Sequence, residues 1–196
     1  MRQAARHGLS NLLTIDGRDD NQSFWQYVLL VFIFDIVVVV ALAVPAALKA
    51  VTLIVRAAVM SDGNDELLRS VVSESIGHTL ATIGMVSLVV FAITVIFLAT
   101  AIVRRLHDTG LSGHWAVLPA ICMTIAQLQL YLQITTVQHG LTDMIYGKSD
   151  VASIIFDKAY ASGWAVGLIG IILICVLAAR ESDPEPNRFG DFPFSV

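Results

Sequence analysis

Apolar residues in this chain fall into long, nearly unbroken runs instead of alternating or sharply two-faced patterns. A helix needs about 20 largely apolar residues to cross roughly 30 Å of hydrocarbon. Four runs meet that requirement: 24–47, about 81–103, 115–137 and about 160–179. Their continuity excludes the strict alternation of β-barrel strands. The pattern predicts an all-α fold, an integral membrane four-helix bundle. Residues 1–23 form a polar N-terminal segment, 24–180 the four-span domain and 181–196 a polar C-terminal tail.

The connections carry pattern as well. Between the first two runs, Leu48 to Met60 stays apolar apart from Thr52 and the pair Lys49 and Arg56. These two share a helix face, which suits the membrane interface. Ser61-Asp62-Gly63-Asn64-Asp65 reads as a turn. Beyond it Leu67, Leu68, Val71, Val72, Ser75 and Ile76 recur at helical spacing, so the second span is expected to begin as an amphipathic extension outside the bilayer. The stretch Gln138 to Ala159 reads as a loop through Gly147 and a helix starting near Asp150 that becomes the fourth span. Both extensions are assigned to the non-cytoplasmic side.

Composition sharpens this picture. Of 196 residues 56% are hydrophobic and 14% charged, where an average soluble domain has about a quarter charged. A water-soluble chain of this size cannot bury so much apolar surface. The net charge of −4 and the lack of a basic tract exclude nucleic acid as a partner. Cys122 and Cys175 both lie in apolar runs and behave as small hydrophobes. The first apolar run is too long for the core of a cleavable signal and is expected to stay in the mature protein.

Orientation follows from the basic residues near the span ends. With the N-terminus in the cytoplasm, that side holds Arg2, Arg6, Arg18, Arg104, Arg105, Arg180 and Arg188, against Lys49, Arg56, Arg69, Lys148 and Lys158 opposite. Arg104 and Arg105 open the short connection between the second and third spans, where the rule is most reliable. N-in and C-in topology is the expectation. Trp25, Trp115 and Trp164 near span ends suit an aromatic belt.

Three motifs then fall on the same side: Gly17-Arg18 followed by Phe24-Trp25; Arg104-Arg105-Leu106-His107-Asp108-Thr109-Gly110-Leu111-Ser112-Gly113; and Pro184-Glu185-Pro186-Asn187-Arg188-Phe189-Gly190. In this order they resemble the bacterial membrane family called domain of unknown function 805. The resemblance implies a small multi-pass protein of the bacterial inner membrane and brings no established activity. The chain departs from the family pattern at Asn21, Ser23, Leu111 and His114, which weakens the opening motif and any ion pair it makes in relatives.

Each motif residue has a bland and a sharp reading. Arg104 and Arg105 are either interfacial anchors or, with Arg18 and Arg188, a site for an anionic headgroup or ligand. His107 and Asp108 either shape a turn or supply proton chemistry. No metal site is expected, because a metal normally takes three or more ligands and no second His/Cys cluster lies nearby. Asp108-Thr109-Gly110 matches the aspartic-protease triplet, but that chemistry needs two carboxylates and one triplet is present.

Within the spans, Asp35 sits among Phe32, Ile33, Phe34 and Ile36, where a carboxyl must be protonated, paired or facing water. It is either a proton or cation relay, or a group bonded to a neighbouring span through Gln127 or Thr94. Gln127, Gln129 and Gln133 in the third span favour inter-helix hydrogen bonds over a polar pathway. Gly163 and Gly167, with Gly170 beyond, permit close helix contact, within one chain in preference to between copies.

The sequence therefore predicts a non-enzymatic binding or regulatory membrane protein. Arg18, Arg104, Arg105, His107, Asp108, Asn187 and Arg188 are the expected ligand or lipid site on its cytoplasmic face. Its expected partners are the bilayer, an anionic lipid or a membrane protein, with a homo-oligomer as a further option, and no cofactor is expected. The alternative is a small oligomeric transporter or ion-coupled channel using Asp35.

Overall fold

A computed structural model describes residues 2–12, 14–61, 63–147 and 158–190. The regular elements among the described residues are helices: α1 (Arg2–Ser10), α2 (Asn21–Met60), α3 (Asp65–Asp108), α4 (Val117–Ile145) and α5 (Lys158–Ala178), with a 3-10 turn at Gly113–Ala116. Among the described residues there is no strand, only an isolated bridge between Asn187 and Gly190. Three helical stretches are long and apolar enough to cross a membrane: Asn21–Met60, Asp65–Asp108 and Gly113–Ile145. The apolar part of α5, Ser162–Ala178, is shorter.

The helix starts follow from their caps. Asp20 Oδ1 accepts from the Ser23 amide at 3.2 Å at the head of α2, and Asn64 Oδ1 accepts from the Leu67 amide at 3.1 Å at the head of α3. Each satisfies one amide that the first helical turn leaves unpaired. Gly63, at φ +83°, takes the turn between α2 and α3 through a conformation that glycine adopts without penalty.

Helix lengths depart from the sequence reading. Leu48 to Met60 is no separate interfacial helix but the direct continuation of the first span, which runs unbroken past Pro45. At 1.5 Å per residue, α2 is about 60 Å long, roughly twice the hydrocarbon thickness. The amphipathic stretch after Asp65 is likewise continuous with the second span. α4 continues to Ile145, beyond the expected span end near 137 and into the region read as a loop. The expected helix start near Asp150 lies outside the described residues, as does Asp62 of the turn. α1 was not anticipated in the polar N-terminal segment.

Two compact units are built from these elements: residues 1–36, 91–125 and 165–196 in one, 37–90 and 126–164 in the other. In the first, Phe24, Tyr27 and Val31 of α2 meet Ala101 of α3 and Ala178 of α5 in a small buried core, with Trp25, Phe97, Leu98 and Ile102 packed on it. Gly8 lets α1 approach this core: a Cβ there would stand 2.3 Å from the Tyr27 ring. Gly170 of α5 admits the Met123 and Cys122 side chains of α4.

In the second unit, Gly77 and Gly84 of α3 receive Gln138 and Ile134 of α4, and Gly163 of α5 receives Gln129. Polar links join the same helices: Gln127 Nε2 donates to Ser87 Oγ at 3.1 Å, and Arg69 donates to the Ile145 carbonyl at 2.9 Å. Gln127 thus links α4 to α3. Gly163 makes close helix contact, whereas Gly167 is half-buried.

Outside these contacts the helices expose large apolar side chains, among them Phe32, Val37, Leu48 and Ile172. Each would forfeit about 1.5–3 kcal/mol by facing water. Lipid is the environment that removes this penalty.

Candidate functional site

The three motifs converge within the first unit. The local cause is the end of α3. The Leu111 amide donates to the Leu106 carbonyl at 2.9 Å and the Gly110 amide to the His107 carbonyl at 3.1 Å, with Gly110 at φ +74°. This is a Schellman cap, and its left-handed position explains the glycine in Asp-Thr-Gly-Leu. Thr109 Oγ1 adds a bond to the Leu106 carbonyl at 2.9 Å. The cap fixes the last turn, so Arg104, Arg105, His107 and Asp108 leave the helix in set directions.

Asp108, fully buried, is the hub. Its Oδ1 accepts from Arg18 Nε at 3.0 Å, and its Oδ2 accepts a short bond from Arg105 Nη1. Its backbone carbonyl accepts from the Asp183 amide of the tail at 2.8 Å. A carboxylate at a helix C-terminus faces the negative end of the helix dipole, and the two guanidiniums compensate for it. Arg105, also fully buried, spreads its donors further: Nε to the Ala178 carbonyl at 2.8 Å, Nη1 to Ser182 Oγ at 3.0 Å, and Nη2 to the Arg180 carbonyl. Burial pulls the Arg105 pKa down from its ordinary value, while Asp108, Asp20 and Asp19 oppose that shift.

Arg18 reaches from the N-terminal segment to the tail, donating to the Glu185 carbonyl at 2.9 Å and the Asp183 carbonyl at 2.5 Å. Arg104 pairs with Asp19, Nε to Oδ2 at 3.0 Å, and donates to the carbonyls of Asn11 and Thr14 at 2.7 and 2.8 Å. Its Nη2 is buried without a partner. Asp19 Oδ1 lies 2.9 Å from His7 Nε2 of α1. The tail closes the set: Asn187 Nδ2 donates to the His107 carbonyl at 3.0 Å, and the Phe189 ring stacks on His107 at 3.9 Å and 3°. The Arg188 guanidinium lies 4.6 Å from the centre of the Phe189 ring.

All seven nominated residues therefore belong to one cluster, but they differ in access. Arg18, Arg104, Arg105, His107 and Asp108 are buried, Asn187 is half-buried and Arg188 is exposed. The buried guanidiniums point into protein acceptors, so Arg18 and Arg105 are committed to holding segments together. Asp19 was missed by the sequence reading. Its signal was the charge balance of the motifs, since Arg104 and Arg105 beside a single Asp108 leave one arginine needing a carboxylate. Ser182 and the tail carbonyls were missed as well.

His107 makes the cluster sensitive to pH. Burial lowers its pKa from the ordinary 6.5, and the nearby Arg188 lowers it further, against a backbone hydrogen bond at Gly17 and the charge of Asp16. The folded state therefore favours the neutral ring. A group with a depressed folded pKa contributes its full stability above the unfolded value, about 6.5 for histidine, and loses it as pH falls. Proteolysis within 184–190 is expected to be flat above that range and faster below it. His107→Phe should keep the stacking and abolish the acceleration; an unchanged pH profile in that variant would refute the assignment.

Asp35 lies away from these motifs, in α2. Its Oδ2 accepts from Thr94 Oγ1 at 2.7 Å and its Oδ1 is buried without a partner. Thr94 is thus the partner, and Gln127 is engaged with Ser87 instead.

Three helical stretches of membrane-spanning length suggest a membrane protein, and in the first unit a buried ion network ties the end of α3 to the N-terminal segment and the tail. A family model described as "Protein of unknown function (DUF805)" matches residues 12–191, most of the chain, and the chain belongs to that family. No curated protein and no solved structure matches it.

Proposed function

We propose that the chain is a non-enzymatic binding or regulatory protein of the bacterial inner membrane, with both termini in the cytoplasm and its motif cluster at the cytoplasmic surface. The fourth span is α5, and the four helices form a bundle whose extensions, the outer parts of α2 and α3, stand on the far side. Arg104 and Arg105 at the end of the second apolar helix support this orientation.

In this reading the buried cluster is a clasp, and what it presents is the tail. The observation that carries it is the exposure of Arg188 while the other nominated cations are buried. Arg188 rides on Phe189, itself stacked on His107, so the clasp holds a guanidinium outward at headgroup level. An anionic headgroup or an acidic partner segment is the complementary chemistry.

Native mass spectrometry in mild detergent, with phosphatidylglycerol offered, tests this. Arg188→Glu should lower retained anionic lipid about tenfold, the value of one charge-assisted hydrogen bond, without changing thermal stability. Retention equal to wild type would remove Arg188 from the function.

One observation favours a second reading, transport through an Asp35 pathway: the unpartnered Oδ1 beside Thr94. In proteoliposomes, Asp35→Asn should then abolish any proton or cation flux that the wild type shows. Flux that survives the substitution excludes Asp35 as the relay.

A further inference from the structure

The second unit contains a cleft of about 440 Å³ between α2 and α3. Its walls are two helical stripes. Ala46, Ala50 and Leu53 come from α2 at spacings of four and three, and Val71, Ser75, His78 and Thr82 come from α3 at four, three and four. Small side chains at Ala46, Ala50 and Ser75 leave the gap between the helices unfilled. Most of its lining is apolar, yet Lys49, Glu74 and His78 also border it.

The order of these groups along the helices is informative. Ala46 and Thr82 lie within the apolar runs that the sequence assigns to the first and second spans. Lys49 is the first charged residue after Asp35, just past the end of the first run, and His78 precedes the second. Glu74 stands four residues further out along α3, about 6 Å at 1.5 Å per residue. Leu48 and Val51, on either side of Lys49, are 61% and 56% exposed, a surface suited to lipid tails. Moving outward from Ala46 and Thr82, the cleft therefore offers a cation and an imidazole group, then a carboxylate, with Ala50, Leu53 and Val71 as apolar wall beside them.

That sequence of groups matches one kind of molecule: an acyl chain, a phosphate and a primary ammonium in line. The geometry points to this cleft as a binding site for a zwitterionic aminophospholipid. Lys49, with His78, takes the phosphate, Glu74 takes the ammonium, and the apolar wall at Ala46 takes the upper acyl chain. Lys49 and Glu74 together carry no net charge, so an anionic lipid gains at the first and is repelled at the second. The site rests on the membrane reading above and shares no residue with the motif cluster, so Arg188→Glu leaves it intact and the two proposals fail separately.

The test is native mass spectrometry of the full chain in mild detergent, offered equal amounts of phosphatidylethanolamine and phosphatidylglycerol. Wild type is expected to retain phosphatidylethanolamine preferentially. Glu74→Gln should remove that preference, and Lys49→Gln should lower retention of phosphatidylethanolamine about tenfold, as expected for one charge-assisted contact. Ala50→Phe, which fills the gap with an apolar ring, should block retention at the cleft while circular dichroism shows the helices intact. Equal retention of the two lipids by wild type would overturn the assignment. So would a preference that survives Glu74→Gln, because lipid merely coating the helices would behave in that way.

Discussion

Asp108→Ala should destabilise the protein by about 3–5 kcal/mol, the usual consequence of leaving buried charges without their partner. The carboxylate is the shared acceptor of Arg18 and Arg105, both buried. Arg18 and Arg105 between them hold the N-terminal segment, the end of α3 and the tail, so the damage should not stay local. Unfolding in detergent followed by circular dichroism gives the magnitude, and proteolysis within 184–190 shows whether the tail is released. A loss below about 1 kcal/mol, the scale of an exposed ion pair, would mean that the network is not the clasp described here. Asp108→Asn should fall between the two, since it keeps an acceptor oxygen for one arginine and removes the charge both require.

Arg105→Lys should cost about 2–4 kcal/mol despite keeping the charge, because several hydrogen bonds to buried acceptors are lost at once. The guanidinium serves acceptors in different directions: the carbonyls of Ala178 and Arg180, Ser182 Oγ and Asp108 Oδ2. An ammonium on a flexible stem reaches one or two of them. Hydrogen exchange at residues 179–183 is the sensitive readout, since these amides sit in the segment that Arg105 pins. Protection equal to wild type in the lysine variant would show that charge alone suffices. Arg104→Lys is a useful contrast. Arg104 already has one nitrogen without a partner, and it pins the N-terminal segment at Asn11 and Thr14 instead of the tail.

The membrane-length helices were legible because a run of apolar residues is itself the physical requirement for crossing lipid. The sequence assigned the motifs to a common side and left open whether they touch; the bonds of Arg18 and Asn187 to the end of α3 show that they do. What stayed hidden has specific causes. α2 carries on from its span into Leu48 to Met60 because those residues are as apolar as the span, so nothing in the composition marks whether the helix continues or turns. The glutamines of α4 read as a weakening span, yet they are compatible with helix, and Gln127 and Thr142 bond across to Ser87 and Ser73 of α3. The role of Arg18, Arg104 and Arg105 was half visible. Their partners are largely backbone carbonyls, and a carbonyl has no letter in a sequence. Asp19 and Asp20 are adjacent identical residues, and only the fold separates them: one pairs with Arg104 and the other caps α2.

Those backbone acceptors set a particular tolerance to change. The tail is gripped at the carbonyls of Ala178, Arg180, Asp183 and Glu185, atoms that every amino acid supplies. Replacing side chains there leaves the hydrogen-bonding pattern in place, whereas inserting or deleting one residue moves every later acceptor out of register with Arg18 and Arg105. The segment after α5 therefore behaves as a ruler: its length is fixed by the two arginines while most of its lettering is free.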